Sequence, residues 1–236
     1  MRVLILLPTY KRPDMVMTAI NSVLTQDCDQ WELVVIDDNE ERTVENDSRY
    51  HVFHTGHSDD FKRTAGGSMH GAFMNIYMEN FRHGHQKCAI AIILCDDDAL
   101  IPGYIGGLID YFIEHPEVQH AYSHVRCFDP TQETPEEVGE RKDGRYFNHT
   151  APLNPAGRVD ASQVAWRLPT LARFKTVGVE NLDMDFFGQL YELYGPCQFT
   201  GLDGQYKAMF PGQLGSRPDP FVMESDEATN GGDCNG

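Results

Sequence analysis

The stretch AIAIILCDDDALIPG, residues 89–103, passes without a break from an apolar run into three consecutive aspartates, Asp96, Asp97 and Asp98. No polar residue alternates with the apolar ones, so the run reads as a strand covered on both faces. Adjacent carboxylates repel one another. Such a cluster at the end of a buried strand is costly unless a cation, hydrogen bonds or protonation relieves it. Hard divalent cations take oxygen ligands, commonly one or two carboxylates together with substrate phosphates. A metal ion shared between the protein and a diphosphate would account for the cluster. A solvated, Asp-rich turn is the plainer reading of the triplet taken alone.

Upstream the same pattern recurs. VLILLP, beginning at Val3, is an apolar run closed by Pro8, and WELVVIDDNE ends a second run in Asp37, Asp38 and Asn39. Between them Val16, Ala19, Ile20, Val23 and Leu24 recur at helical spacing, with Asp14 placed to meet the free amides of the first turn. YHVFHT (50–55) is a weaker strand, Met69 to Tyr77 carries helical periodicity, and Ile105 to Ile113 forms a further amphipathic helix. Strand–helix–strand repetition with short connections predicts an α/β fold with a mostly parallel central sheet flanked by helices. Ligands bind such sheets beyond the carboxyl ends of the strands. Both aspartate clusters are therefore expected at one sheet edge.

Further along, VQHAYSHVRCF (118–128) reads as a strand, 129–158 as a long loop or flap, 159–167 as a strand and 183–195 as a helix ended by Gly195 and Pro196. From residue 216 onward the chain is acidic and rich in Pro and Gly, and is expected to be disordered. The net charge of −17 disfavours a long polyanion held by general electrostatics. Six cysteines without a CxxC pair read as reduced core thiols and suggest a cytoplasmic setting. No apolar run approaches the roughly 20 residues of a membrane span, and no export signal or stable membrane anchor is visible. His51, His54 and His57, and likewise His83, His85 and Cys88, do not make a compact four-ligand zinc set.

In order and spacing, VLILLPTYKRP, WELVVIDDNE and LCDDDALIP resemble the inverting, family-2-type glycosyltransferases of the GT-A fold. The likeness is strongest over residues 3–40 and 89–116 and returns at 157–195. It implies a Rossmann-type sandwich in residues 1–215, with a nucleotide-sugar-binding half (1–128) and an acceptor half (129–215), followed by the tail 216–236. Pro8, Thr9, Tyr10 and Arg12 would line the nucleotide. Asp37 or Asp38, with Asp38 preferred, would accept the imide hydrogen of the base. Asp96 would lie near the ribose, Asp97 on the principal metal position and Asp98 beside it, with Mn2+ or Mg2+ as the cofactor. Cys95 stands where the family's motif has its first aspartate, and a thiol is a poor ligand for a hard cation. Arg63 would reach a phosphate oxygen, with Lys62 the lesser choice. In NLDMDFFGQLYE, Asp183 falls on the general-base position, although Leu182 departs from the usual acidic residue there.

The function implied is inverting, metal-assisted transfer of a sugar from a nucleotide-diphosphate donor, most simply a UDP-sugar, to an acceptor hydroxyl. A glycan or small molecule is the favoured acceptor. The alternatives are a non-catalytic nucleotide-sugar-binding relative and a glycosyltransferase acting on a modified base in DNA, for which ERKDGR (140–145) would be the basic handle. A nucleotidyltransferase would carry a Gly-rich signature after the first strand, and TYKRPD has no glycine.

Overall fold

The computed structural model describes residues 1–58, 70–83, 88–128, 149–175 and 182–208. Strand β1 (Val3–Thr9) shows how the core is divided. Successive side chains of a strand point to opposite faces. Val3, Ile5 and Leu7 accordingly enter one apolar layer with helices α1 (Pro13–Leu24) and α3 (Tyr104–Glu114). Leu4 and Leu6 enter the other, with Met74 and Met78 of α2 (His70–His83) and Phe186, Phe187 and Leu190 of α4 (Leu182–Tyr194). Both faces are covered, which is why the strand carries no polar alternation.

The remaining strands are β2 (Trp31–Asp37), β3 (His51–His54), β4 (Ile90–Ile93), β5 (Ala99–Leu100), β6 (His120–Phe128), β7 (Val164–Arg167) and β8 (Gln198–Ala208). They form a sheet of order β3-β2-β1-β4-β7-β6-β8-β5. β3, β2, β1 and β4 run parallel, β7 is antiparallel to both β4 and β6, and β8 lies parallel to β6 with β5 antiparallel at the edge. In register, Thr9 is opposite Asp37, Asp37 is opposite His54, and Leu6 is opposite Ile93. The carboxyl ends of β1, β2, β3 and β4 thus lie at one edge, as the sequence pattern requires.

Three segments differ from the sequence-based expectation. Residues 159–167 are not one strand: Asp160 caps a short 3-10 turn, Ala161–Gln163, and only Val164–Arg167 joins the sheet. Asp160 and Gln163 hydrogen-bond reciprocally, which turns the chain before the strand begins. The second part of the expected 129–158 flap is packed: Leu153 exchanges backbone hydrogen bonds with Cys197 at 3.1 and 2.8 Å, and the Tyr122 hydroxyl donates to the Ala151 carbonyl at 2.8 Å. Strand β8 was not expected at all. Arg63 and Lys62, the rest of the flap with 140–145, and the tail 216–236 lie outside the described residues. Among the described residues no helix is long and apolar enough to cross a membrane.

Candidate active site at the strand ends

The connection leaving β1 is built to turn sharply. Lys11 adopts φ 59, a left-handed conformation uncommon for a residue with a Cβ, and its N–H donates to Asn39 Oδ1 at 2.8 Å. The loop after β1 is thereby tied to the loop after β2. Pro13 then opens α1, where its missing N–H costs nothing and its fixed φ suits the helix. Arg12, just before it, sends its side chain across to the aspartate cluster. Its Nη1 lies 3.0 Å from Asp96 Oδ1 and 2.7 Å from Asp97 Oδ2. Burial lowers the Arg12 pKa, but Asp97 and Asp96 more than offset this and hold it above its ordinary value. Thr9, at the end of β1, donates to Asp96 Oδ2 at 2.9 Å. Burial raises the Asp96 pKa, with Arg12 and Thr9 opposing. Pro8 lies within β1, and Tyr10 follows it half-buried beneath the Lys11 ammonium, 5.0 Å from the ring centre.

The aspartates after β2 take separate tasks. Asp37 accepts hydrogen bonds from Asn39 Nδ2 (2.7 Å), the Thr43 N–H (2.7 Å) and the Val44 N–H (3.1 Å), closing the loop 38–44 onto its own strand. Burial works to raise its pKa, yet these donors outweigh it and hold the carboxyl below its usual value. Asp38 instead faces the end of β3, where Thr55 Oγ1 donates to it at 2.6 Å and His57 Nδ1 lies 3.9 Å away. His57 in turn sits beside the Phe73 ring, with centroids 6.4 Å apart. Of the two, Asp37 is committed to loop closure, and Asp38 faces the polar and aromatic wall formed by Thr55, His57 and Phe73. The sequence offers His57 only as a member of a rejected zinc set and Thr55 not at all, although their place just past a strand end is the available signal.

Asp98 turns inward. Its Oδ2 accepts from Ser162 Oγ at 2.8 Å and lies 3.7 Å from Lys207 Nζ, while Oδ1 accepts from the Ala208 N–H at 3.3 Å. Lys207 also pairs with Asp160 at 2.7 Å. Burial pushes the Asp98 carboxyl upward, Lys207 opposing; Lys207 itself is held well above its ordinary value because Asp98 and Asp160 outweigh its burial. Asp183 lies in the first turn of α4. Burial raises its pKa, the backbone N–H groups of Met184 and Asp183 oppose, and Asp160 and Lys207 are near enough to act on its charge. Asp183 and the aspartate cluster therefore both lie near the Asp98–Lys207–Asp160 network.

Cys95, Asp97 and Asp98 offer ligand atoms within 4.8 Å of one another. Burial, reinforced by Asp160 and Asp98, pushes the Cys95 thiol well above its ordinary pKa, so a neutral thiol stands there and does not suit a hard cation. The oxygen donors fit one better, with Asp97 toward Arg12 and Asp98 behind it.

The family model described as "Glycosyl transferase family 2" matches residues 4–165, from β1 into β7. The chain belongs to glycosyl transferase family 2. Its fold is shared with solved GT-A enzymes. One is Staphylococcus aureus TarS 1–349 in complex with UDP-GlcNAc: 14% identity, TM-score 0.61, covering 92% of this chain and 61% of that one. Another is the mannosyltransferase PcManGT from Pyrobaculum calidifontis in complex with GDP-Man and Mn2+: 15% identity, TM-score 0.50, covering 90% of this chain and 58% of that one. This family-2 chain thus spans about six-tenths of the length of those proteins. Among curated protein sequences none matches it.

Proposed function

We propose that the chain transfers a sugar from a nucleotide-diphosphate donor, most simply a UDP-sugar, to an acceptor hydroxyl with inversion. The observation that carries this reading is the convergence of Thr9, Arg12, Asp38, Asp96 and Asp97 at one sheet edge, with Asp183 bordering the same buried network. TarS bound to UDP-GlcNAc and UDP supports the uridine choice, while PcManGT bound to GDP-Man and Mn2+ keeps the guanosine donor and the metal in the comparison.

In this mechanism Asp38 accepts the imide N–H of the base, and Thr9, Pro8 and Tyr10 flank the nucleoside. Asp96, fixed by Thr9 and Arg12, addresses the ribose. The acceptor oxygen forms a bond to the anomeric carbon as the bond from that carbon to the diphosphate oxygen breaks; the leaving diphosphate keeps the electron pair. The acceptor proton passes to Asp183, whose burial makes it a stronger base than an exposed carboxylate. Arg12 is placed to offer a charge-assisted hydrogen bond to the diphosphate. A divalent cation held by Asp97, supported by Asp98, would offset the charge developing on that group. Arg63, on the chain between β3 and α2, is a further proposed phosphate contact. The acceptor is a glycan or small molecule in this reading.

The test is Asp183→Asn, which keeps the shape and removes the base. Transfer from UDP-sugars should fall by about 100-fold or more while UDP affinity is unchanged. A variant that transfers at the full rate would remove Asp183 from the base role.

A further inference from the structure

Lys207 is buried, only 4% exposed, at the next-to-last position of strand β8, opposite Cys127 of β6. Three segments distant in sequence meet on its ammonium. Nζ lies 2.7 Å from Asp160 Oδ2 and 3.7 Å from Asp98 Oδ2. Ser162 Oγ sits between the two carboxylates, 2.8 Å from Asp98 Oδ2 and 3.2 Å from Asp160 Oδ1, and receives the Cys95 N–H at 3.4 Å. The Ala208 N–H closes the arrangement on Asp98 Oδ1. The residues so fixed, 95 and 98, bracket Asp96 and Asp97.

Stability alone does not call for this arrangement, because a buried ion pair can commonly be replaced by apolar groups of similar volume without loss. What an apolar replacement cannot supply is direction: an ammonium shared by two carboxylates sets where both of them lie. We propose that Lys207 is a positioning residue for glycosyl transfer, its ammonium holding the turn that presents Asp96 and Asp97 against the segment 160–162. The proposal rests on the donor reading above for the identity of the ligand, and on the geometry of 95–98, 160–162 and 207–208 for the rest.

The test compares wild type, Lys207→Met and the double variant Lys207→Met/Asp160→Asn, which restores the net charge of the trio. The single variant leaves two buried carboxylates without their cation, and its Tm should fall by about 10 °C. The double variant removes one of those charges and should regain part of the loss, Ser162 and the Ala208 N–H still serving Asp98. Two measurements on the double variant then separate positioning from charge balance. Amide exchange in the ligand-free protein should quicken at residues 94–98 while β1 and β2 keep wild-type protection. Calorimetric affinity for UDP in the presence of Mn2+ should stay about tenfold or more below wild type despite the partly recovered Tm. Wild-type exchange at 94–98, or wild-type UDP affinity, in the double variant would overturn the proposal. Should wild type itself bind no UDP, the donor reading fails, and the exchange at 94–98 decides the positioning role by itself.

Discussion

Along β1, β2 and β4 the side chains entering the two core layers are apolar, apart from Glu32 at the start of β2, and polar groups gather where the strands end. Along β6, β7 and β8 polar groups are buried within the sheet and its turn: His120, Ser123, His124, Gln163, Gln205 and Lys207. The first region is held by area removed from water, which is non-directional and forgiving of shape. The second adds hydrogen bonds and an ion pair to its buried apolar residues, and these fix angles and punish the loss of one partner. The candidate site lies on their border, with Thr9, Asp38, Asp96 and Asp97 at the ends of the apolar strands and the Asp98–Lys207–Asp160 network reaching into the polar region.

The comparison can be broken most forcefully at Leu6. Leu6→Ala should cost about 2–5 kcal/mol in urea unfolding, whereas Leu6→Met should cost less than about 1.5 kcal/mol, because volume is what the apolar region registers. Ser162→Ala removes a single oxygen atom from the polar region and should still cost about 1–3 kcal/mol, since Asp98 and Asp160 lose a shared donor. A negligible cost there would place both regions under the same rule.

The smallest effect is one of pH. The buried His120 ring has Nε2 2.8 Å from the Gly195 carbonyl oxygen. Burial holds its pKa below the ordinary 6.5, with the carbonyl contact opposing. The unfolded chain therefore binds the proton more readily, and this group's contribution to stability falls as pH drops through 6.5 toward the lowered folded value. Thermal unfolding from pH 7 to 5 should show that decline, and His120→Gln should flatten it. An identical pH profile in the variant would show that His120 does not contribute.

How far the sequence could be read follows the same division. β1, α1, β2, β4 and α3 are legible because burial on two faces writes continuous apolar runs and the intervening helices write a 3.6 period. The three aspartates could be assigned to a strand end for the same reason. β8 escaped because Gly201, Asp203, Gly204 and Lys207 interrupt any alternation, and its pairing with β6 carries register shifts. Lys207 could not be foreseen from local pattern, since its partners Asp98 and Asp160 come from elements far away in the chain. The turn at 159–163 does carry a local signal: Asp160 followed by Gln163 before an apolar run is a capping signature. For Asp37 and Asp38 the sequence could establish the edge but not the division of labour, which depends on where Thr43, Val44 and Thr55 return.

The most direct test of the account is calorimetric titration of UDP, with and without Mn2+, into wild type and Asp97→Ala. The account predicts binding that Mn2+ strengthens in wild type, and a loss of that strengthening in Asp97→Ala with the fold intact. Equal UDP affinity in both proteins regardless of Mn2+, or no binding to either, would contradict a metal-assisted nucleotide-diphosphate site at these strand ends.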